Sequence, residues 1–69
     1  MPSGKVKWFD RKKKYGFITK DDDGKDIFFH FNGIKDPMLK NIVSSDQKVT
    51  FAIIKDQRGE RAINVQLVQ

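Results

Sequence analysis

Aromatic side chains and lysines are crowded into one stretch of this chain, KKKYGFITKDDDGKDIFFHF, which runs from Lys12 to Phe31. Five of the eight aromatic residues and the single histidine, His30, lie within this stretch. Aromatic rings stack on nucleobases and ammonium groups attract phosphates, so the combination suits contact with a nucleic-acid strand. The opposing interpretation is that the aromatic residues form the core and the lysines form a solvated face.

The positive charge is concentrated at the start of the chain. Residues 1–20 contain seven basic residues and one acidic residue, a net charge of +6, whereas residues 21–69 have a net charge of −1. A basic patch of this kind is typical of surfaces that bind polyanions. Charge alone does not separate that function from a face that merely keeps the protein in solution.

The sequence offers little material for catalysis or metal binding. Asp21, Asp22 and Asp23 are adjacent carboxylates that could hold Mg²⁺ or act as an acid–base pair, but a polar hairpin turn is the favoured interpretation. The chain has no cysteine, and one histidine does not make an ordinary zinc site. His30 has no serine or cysteine near it in the sequence, which disfavours a nucleophilic triad. We therefore expect no enzyme, no catalytic residue, no metal and no cofactor.

Short runs rich in Val, Ile, Phe, Tyr and Trp predict β-strands. The predicted strands cover residues 5–10, 15–20, 26–31, 48–55 and 62–68. Asp23-Gly24 and residues 56–60 are typical of turns, and Pro37 argues against a continuous strand or helix in the long connection 32–47. No window has a sustained helical period, which disfavours helix-based nucleic-acid motifs and the RNA-recognition-motif fold. Strands this short and close together predict a small antiparallel barrel.

The alternation of side chains along the second and third strands separates two faces, because residues two apart share a side of a strand. One face collects aromatic and polar-tipped side chains: Tyr15, Phe17, Phe28 and His30. The other collects wholly apolar side chains: Ile18, Ile27 and Phe29. Because the second set can form the core, we expect the first set outside, where an aromatic patch usually marks a contact surface. The reverse arrangement stays open at this point.

Three blocks of the sequence resemble the cold-shock domain family: GKVKWFD at residues 4–10, KYGFI at 14–18 and DIFFHF at 26–31. The last two are similar to the family's ribonucleoprotein motifs, and AINV at residues 62–65 resembles its closing motif. The resemblance implies one cold-shock domain over residues 1–69, with an all-β, five-stranded antiparallel OB-fold barrel. It also implies binding to single-stranded RNA and DNA with low sequence specificity, a preference for pyrimidines, and an RNA-chaperone role in transcription and translation at low temperature.

The resemblance also implies which residues bind nucleic acid. The implied binding surface comprises Lys7, Trp8, Tyr15, Phe17, Phe28, His30 and Phe31, with Phe9, Lys13, Asp26 and Arg58 at its margin. Strand alternation instead places Phe31 with the core and Trp8 on the side of apolar Val6. We follow the family for both residues, because Phe31 ends its strand and a twist or β-bulge would turn Trp8 outward.

The chain departs from the family pattern in three places. Lys14 stands where the family usually has glycine, so it must accept a strained backbone or alter the turn, and it adds charge beside the aromatic surface. Residues 37–39, Pro-Met-Leu, replace a Gly-Phe pair, which predicts the loss of an aromatic contact. Arg61 adds a basic group after the final turn. This basic chain is expected to bind more tightly and less selectively than acidic relatives.

Other functions fit a small barrel less well. An SH3-like peptide groove usually carries acidic residues beside its aromatics, whereas lysines lie beside these. A translation-factor-type barrel that binds structured RNA by shape is a further alternative. The N-terminal residues do not resemble a signal peptide, and no apolar run approaches the roughly 20 residues of a membrane span. We expect a cytoplasmic protein without membrane or small-molecule partners, monomeric by default, with a dimer left open.

Overall fold

The computed structural model describes residues 2–68, and within them five strands form a closed barrel. The strands are β1 (Ser3–Asp10), β2 (Tyr15–Lys20), β3 (Asp26–His30), β4 (Lys48–Asp56) and β5 (Gly59–Leu67). Around the barrel the strands follow the order β1-β2-β3-β5-β4. The connection from β3 to β4 contains a 3₁₀ turn (Phe31–Gly33) and a short helix, α1 (Pro37–Ile42). The predicted all-β, five-stranded barrel is confirmed.

The pairing of the strands adds detail that the sequence did not provide. β1 pairs with β2 and β4, β2 with β3, and β4 with β5, all antiparallel as predicted, while β3 and β5 close the barrel with a short parallel pairing. β5 begins at Gly59 and not at Ala62 as predicted, because the turn before it is tight and the strand pairs from its first residue. β3 ends at His30, because Phe31 already belongs to the 3₁₀ turn.

The interior of the barrel is filled by apolar side chains from every strand and from the β3–β4 connection. Ile18, Ile27 and Phe29 are buried as predicted. The other buried apolar residues are Val6, Ile34, Leu39, Val43, Val49, Phe51, Ala62 and Val65. Each large apolar side chain that is fully buried stabilises the fold by about 1.5–3 kcal/mol. No polar or charged residue of the described chain is buried, so the core holds no candidate for chemistry.

A β-bulge in β1 decides the orientation of Trp8. Val6 pairs with Ile18 and Trp8 pairs with Phe17, so Lys7 is an extra residue in β1 with no partner in β2. The extra residue breaks the alternation of the strand. Val6 consequently points into the barrel, whereas Trp8 lies on the outside and is 37% exposed. Of the two features that could turn Trp8 outward, a twist or a β-bulge, the structure has a β-bulge.

A second irregularity changes the buried face of β5. Thr50 pairs with Gln66 and Ala52 pairs with Ile63, so two residues of β5 lie opposite one residue of β4. Asn64, within this bulge, has a φ of 53°. Ala62 and Val65 are both buried as a result. Strict alternation would instead have placed Ile63, Val65 and Leu67 together on the buried face.

The β3–β4 connection contains a helix where the proline was expected to oppose one. Pro37 is the first residue of α1, a position where its missing N–H has no intrahelical partner to lose. The Asp36 carboxylate caps the helix by accepting a hydrogen bond from the Met38 N–H at 2.9 Å. The connection has no continuous helix, as predicted, because α1 ends at Ile42. The short helix that begins at Pro37 was not predicted. No helix among the described residues is long and apolar enough to span a membrane.

Candidate nucleic-acid interface

Aromatic rings from three strands meet on the outside of the barrel and form what we call the outer platform: Trp8, Tyr15, Phe17 and Phe28. The ring centroids of Trp8 and Phe17 are 5.3 Å apart, and those of Trp8 and Tyr15 are 5.6 Å apart. Phe28 lies 5.5 Å from Tyr15 and 6.0 Å from Phe17. Most of these pairs meet edge-on or tilted, so the rings support each other without stacking face to face.

The register of the strands places these rings side by side. Phe17 of β2 pairs with Trp8 of β1 on one side and with Phe28 of β3 on the other. Tyr15 pairs with His30 in the next position of the same face. His30 is half-buried, and its Nδ1 accepts a hydrogen bond from the Asn32 N–H at 3.1 Å. This contact fixes the imidazole beside the platform and leaves Nε2 as the nitrogen that can bond a ligand.

Gly16 allows β1 and β2, which carry Trp8, Tyr15 and Phe17 of the platform, to lie close together. A Cβ atom at this position would collide with the carbonyl oxygen of Trp8 and would lie 2.9 Å from the Cα of Phe9. The backbone of β1 therefore lies against β2 where a side chain would hold the strands apart. Gly16 separates Tyr15 from Phe17 and keeps both within reach of Trp8.

A second aromatic group, the inner cluster of Phe9, Phe29 and Phe31, lies on the core side of β1, β3 and the 3₁₀ turn. Phe9 stacks on buried Phe29 with a centroid distance of 5.6 Å and lies 6.4 Å from Phe31. Phe9 and Phe31 are half-buried and pack against the core. The resemblance implied that Phe9 and Phe31 belong to the binding surface or its margin. The structure places both in the inner cluster and not among the rings of the outer platform.

Lys7 and Asp26 meet beside the platform. The Lys7 ammonium donates a hydrogen bond to the Asp26 carboxylate at 2.8 Å, and the Thr19 hydroxyl donates to the other oxygen at 3.0 Å. These two hydrogen bonds, that of Lys7 first, hold the pKa of Asp26 below its ordinary value of 3.8. Asp26 is thus a charged acceptor that holds the cation of the bulge residue next to the aromatic rings.

A groove continues from the platform toward the turn between β4 and β5. It has a volume of about 650 Å³ and is lined by Phe17, Asp26, Phe28, Asp56, Arg58, Gly59, Glu60 and Arg61. The lining of the groove therefore combines two rings of the platform with the arginines at and after this turn, Arg58 and Arg61. Arg61 lies 3.7 Å from the Asp56 carboxylate, and Arg58 and Arg61 are both exposed. The structure brings Arg58 to the margin of the platform.

The turn of residues 11–14 carries the exposed lysines of the opening stretch. The Asp10 carboxylate accepts hydrogen bonds from the backbone N–H groups of Lys12 and Lys13 at 2.9 and 3.1 Å. Their side chains are exposed. Lys14 closes the turn with a φ of 65°, a left-handed conformation that costs a side-chain-bearing residue about 1–2 kcal/mol. Of the two outcomes expected for Lys14, the chain accepts the strained backbone.

The acidic residues between β2 and β3 form a turn, as predicted. Asp21 accepts a hydrogen bond from the Ser3 hydroxyl at 2.7 Å and lies 3.4 Å from the Lys48 ammonium, and these contacts lower its pKa. Asp23 accepts hydrogen bonds from the Lys25 N–H at 2.9 Å and from the Lys20 ammonium. These contacts, that of Lys25 first, lower the pKa of Asp23 as well. Residues 2–68 contain no group of three His, Cys, Asp or Glu side chains that could hold a metal.

Two sets of long-range contacts, those of Phe31 with lysine side chains and those of Arg11 with α1, were not predicted from the sequence. Lys40 of α1 places its ammonium 5.3 Å from the centroid of the Phe31 ring, and Lys14 places its own 5.0 Å from the same centroid. Arg11 donates from Nη2 to the carbonyl oxygens of Asn41 and Val43, and so ties the end of α1 to the turn after β1. No sequence signal joins residues this far apart.

Comparison with known proteins identifies the family. Residues 2–68 match the family described as the "Cold-shock" DNA-binding domain. The chain belongs to the cold-shock domain family. This is a family of nucleic-acid-binding proteins and not of enzymes. The aromatic and basic surface therefore belongs to a domain whose family generally binds nucleic acid.

Curated relatives align over almost the whole chain. A cold shock-like protein of Aquifex aeolicus is 43% identical over 94% of this chain and 91% of its own. Cold shock-like protein CspG of Escherichia coli K12 is 46% identical over 91% of this chain and 89% of its own. A cold shock-like protein of Thermotoga maritima is 46% identical over 96% of this chain and 97% of its own.

A solved structure described as drosophila Unr CSD456 has the same fold. Its TM-score is 0.80 over 99% of this chain, with 19% sequence identity. This chain spans only 26% of that structure. At this level of identity, the likeness supports the barrel alone.

Proposed function

We propose that residues 1–69 act as a single cold-shock domain that binds single-stranded RNA and DNA. Bases stack on the outer platform and His30, while lysines along the same side contact phosphates. The proposed specificity is low, with a preference for pyrimidines that follows the family resemblance. The proposed role is that of a cytoplasmic RNA chaperone, which keeps transcripts unstructured and thereby affects transcription and translation at low temperature.

The observation that carries this proposal is the outer platform itself. Trp8, Tyr15, Phe17 and Phe28 remain exposed or half-buried although the barrel has a complete apolar core without them. Exposed aromatic patches lower the solubility of a protein and usually mark a contact surface. The bases of a single strand are available for stacking, whereas paired bases are not.

The energetics favour a sequence-tolerant binder. Every base has a π-face, and each stacked base contributes roughly 1–3 kcal/mol. Three or four stacked bases therefore give useful affinity after the cost of ordering the strand. Lysine–phosphate contacts release counterions, so the affinity must fall as salt rises. Selective binding of open strands shifts RNA toward the melted form by mass action, and bound strand stabilises the small barrel by the same linkage.

The opening of an RNA hairpin tests the chaperone role. A hairpin with a fluorophore and a quencher on its two ends should gain fluorescence when the protein is added, because binding traps the open strand. The gain should decrease as salt rises. The matched control is the Phe17→Ala/Phe28→Ala double variant, which keeps every lysine and should open the hairpin far less. If the control opens the hairpin as well as the original chain, the lysines alone would account for the activity and the stacking mechanism would be wrong.

A further inference from the structure

One aromatic ring outside the platform carries two cations. The ammonium nitrogen of Lys14 lies 5.0 Å from the centroid of the Phe31 ring, and that of Lys40 lies 5.3 Å from the same centroid. Both distances are within the range of cation–π attraction. One residue comes from the turn after β1 and the other from α1, so the barrel brings them together from distant parts of the chain.

The backbone of Lys14 is bound on both sides. Its N–H donates to the Asp10 carbonyl oxygen at 2.7 Å, and its carbonyl oxygen accepts the Phe31 N–H at 2.8 Å. The left-handed φ of 65° is needed to make both bonds at the end of a tight turn. Lys14 is thereby attached directly to the residue whose ring its side chain contacts.

Lys40 is held through the end of its helix. The Arg11 guanidinium donates from Nη2 to the Val43 carbonyl oxygen at 3.1 Å and to that of Asn41 at 3.4 Å. These bonds fasten the last turn of α1 to the same turn that contains Lys14. Arg11 therefore positions Lys40 and is itself occupied by backbone carbonyls.

The two ammonium groups have no acidic partner in the part of the chain that the structure describes. Ion pairs within residues 2–68 involve Lys7, Lys20, Lys48 and Arg61, and none includes Lys14 or Lys40. Two like charges beside one ring repel each other, and the ring attracts each of them only weakly at an exposed site. An anion that binds both relieves the repulsion and adds charge-assisted hydrogen bonds.

We propose that Lys14 and Lys40 form a clamp for one phosphate of the bound strand, beside the Phe31 ring that both ammonium groups approach. The proposal rests on the proposed function and assigns one end of the strand's path. His30 lies beside Tyr15 of the platform, and Phe31 is the next residue. A strand that crosses the platform and passes His30 therefore brings its backbone to the clamp.

The test uses seven-nucleotide oligo-dT in which one phosphate at a time is replaced by a neutral methylphosphonate. For the original chain, one linkage near one end of the oligonucleotide should be sensitive, with binding about fivefold weaker at 0.1 M salt when it is neutral. The Lys14→Gln/Lys40→Gln variant should bind the unmodified strand about fivefold more weakly and lose the sensitivity at that linkage. Its slope of log K against log salt should be shallower by about 0.7. Glutamine keeps the backbone strain at position 14, so the fold is compared like for like.

The control is Lys12→Gln/Lys35→Gln, which removes the same charge from exposed side chains for which no cation–π contact with the Phe31 ring is found. It should bind nearly as well as the original chain and keep the sensitive linkage. Equal weakening by the two double variants would overturn the clamp and leave diffuse charge as the explanation. A sensitive linkage that persists without Lys14 and Lys40 would also overturn it. Failure of the original chain to bind any unmodified strand would instead overturn the proposed function, and the clamp with it.

Discussion

The outer platform and the inner cluster are both built from aromatic residues, and both take residues from β1 and β3. Phe28 and Phe29 are adjacent in β3, yet Phe29 is fully buried and stacks on Phe9, whereas Phe28 lies outside against Tyr15 and Phe17. In the inner cluster, Phe9 and Phe29 stack with an interplanar angle of 27°. The outer rings meet each other largely with tilted or perpendicular planes, which leaves ring faces toward solvent.

Under the proposed function, this difference separates the residues that stabilise the fold from those that bind a ligand. Burial of Phe29 stabilises the folded state, because its ring is removed from water only when the chain folds. The outer rings lose less area on folding, so most of their stacking energy is realised only when a base covers them. In the proposed mode of binding, the lysines beside the outer group contact the phosphates of the stacked bases.

The largest effect is expected from a substitution in the inner cluster, on the stability of the fold. Phe29→Ala removes a fully buried ring and should lower the free energy of unfolding by about 3–5 kcal/mol. A domain of this size rarely has more than about 3–5 kcal/mol in total, so the variant should be largely unfolded at room temperature. Urea denaturation followed by circular dichroism measures this. A loss below about 1 kcal/mol would mean that Phe29 is not a core residue.

The neighbouring substitution should have the opposite profile. Phe28→Ala should weaken oligo-dT binding roughly tenfold to a hundredfold, equivalent to about 1–3 kcal/mol of stacking. Its unfolding free energy should fall by only about 1 kcal/mol, because the ring is half-exposed. Affinity is measured by fluorescence anisotropy and stability by urea denaturation on the same preparation. Collapse of the fold with Phe28→Ala would place that face in the core.

A smaller effect is expected at the edge between the two groups, where Lys14 holds a φ of 65°. Lys14→Gly should raise the free energy of unfolding by about 1 kcal/mol, because glycine adopts this conformation without a Cβ clash. It should also weaken strand binding, since the clamp loses one ammonium group. Lys13→Gly is the matched control in the same turn and should not stabilise the fold. A destabilised Lys14→Gly variant would show that the strain is not stored there.

The smallest effect concerns pH. Asp21, Asp23 and Asp26 have pKa values held below their ordinary value of 3.8 by hydrogen bonds from Ser3, the Lys25 N–H and Lys7 respectively. Their stabilising contribution is present above the unfolded pKa and is lost as the pH falls through the folded pKa. Asp26→Asn should therefore lose less stability than the original chain between about pH 5 and pH 2.

The basic limb of the profile has the opposite sign. The Asp23 carboxylate, with smaller help from Glu60, raises the pKa of Lys20 above its ordinary value of 10.5. That contribution is present below pH 10.5 and is lost as the pH rises through the folded pKa. Thermal unfolding across the pH range measures both limbs. A stability that is level through the acid range would contradict the contacts of the three carboxylates.

Much of the fold was accessible from the sequence because local rules dominate the first three strands. The alternation of Ile18, Ile27 and Phe29 with the aromatic face predicted the core side of β2 and β3, and both sides are as predicted. Trp8 required more than alternation. The bulge at Lys7 depends on the pairing with β2, so a single strand's pattern places Trp8 inside, whereas the paired strands place it outside.

The features that the sequence did not predict all involve long-range contacts or special backbone geometry. The bulge of β5 depends on a left-handed Asn64 opposite β4, and α1 depends on Pro37 being at the first helical position and not in the interior. The meeting of Lys14 with Lys40 over Phe31 needs the Arg11 bonds to α1. None of these has a local periodicity from which it could be read.

The most direct test of the account uses Trp8 as a reporter in the outer platform. Oligo-dT should quench the fluorescence of Trp8 in a saturable titration, and the midpoint should move to higher concentration as salt rises. A duplex of matched length and charge should quench little, because its bases are not available for stacking. Absence of quenching by the single strand at low salt, or equal quenching by the duplex, would contradict the claim that the outer aromatic residues are a stacking surface for single strands.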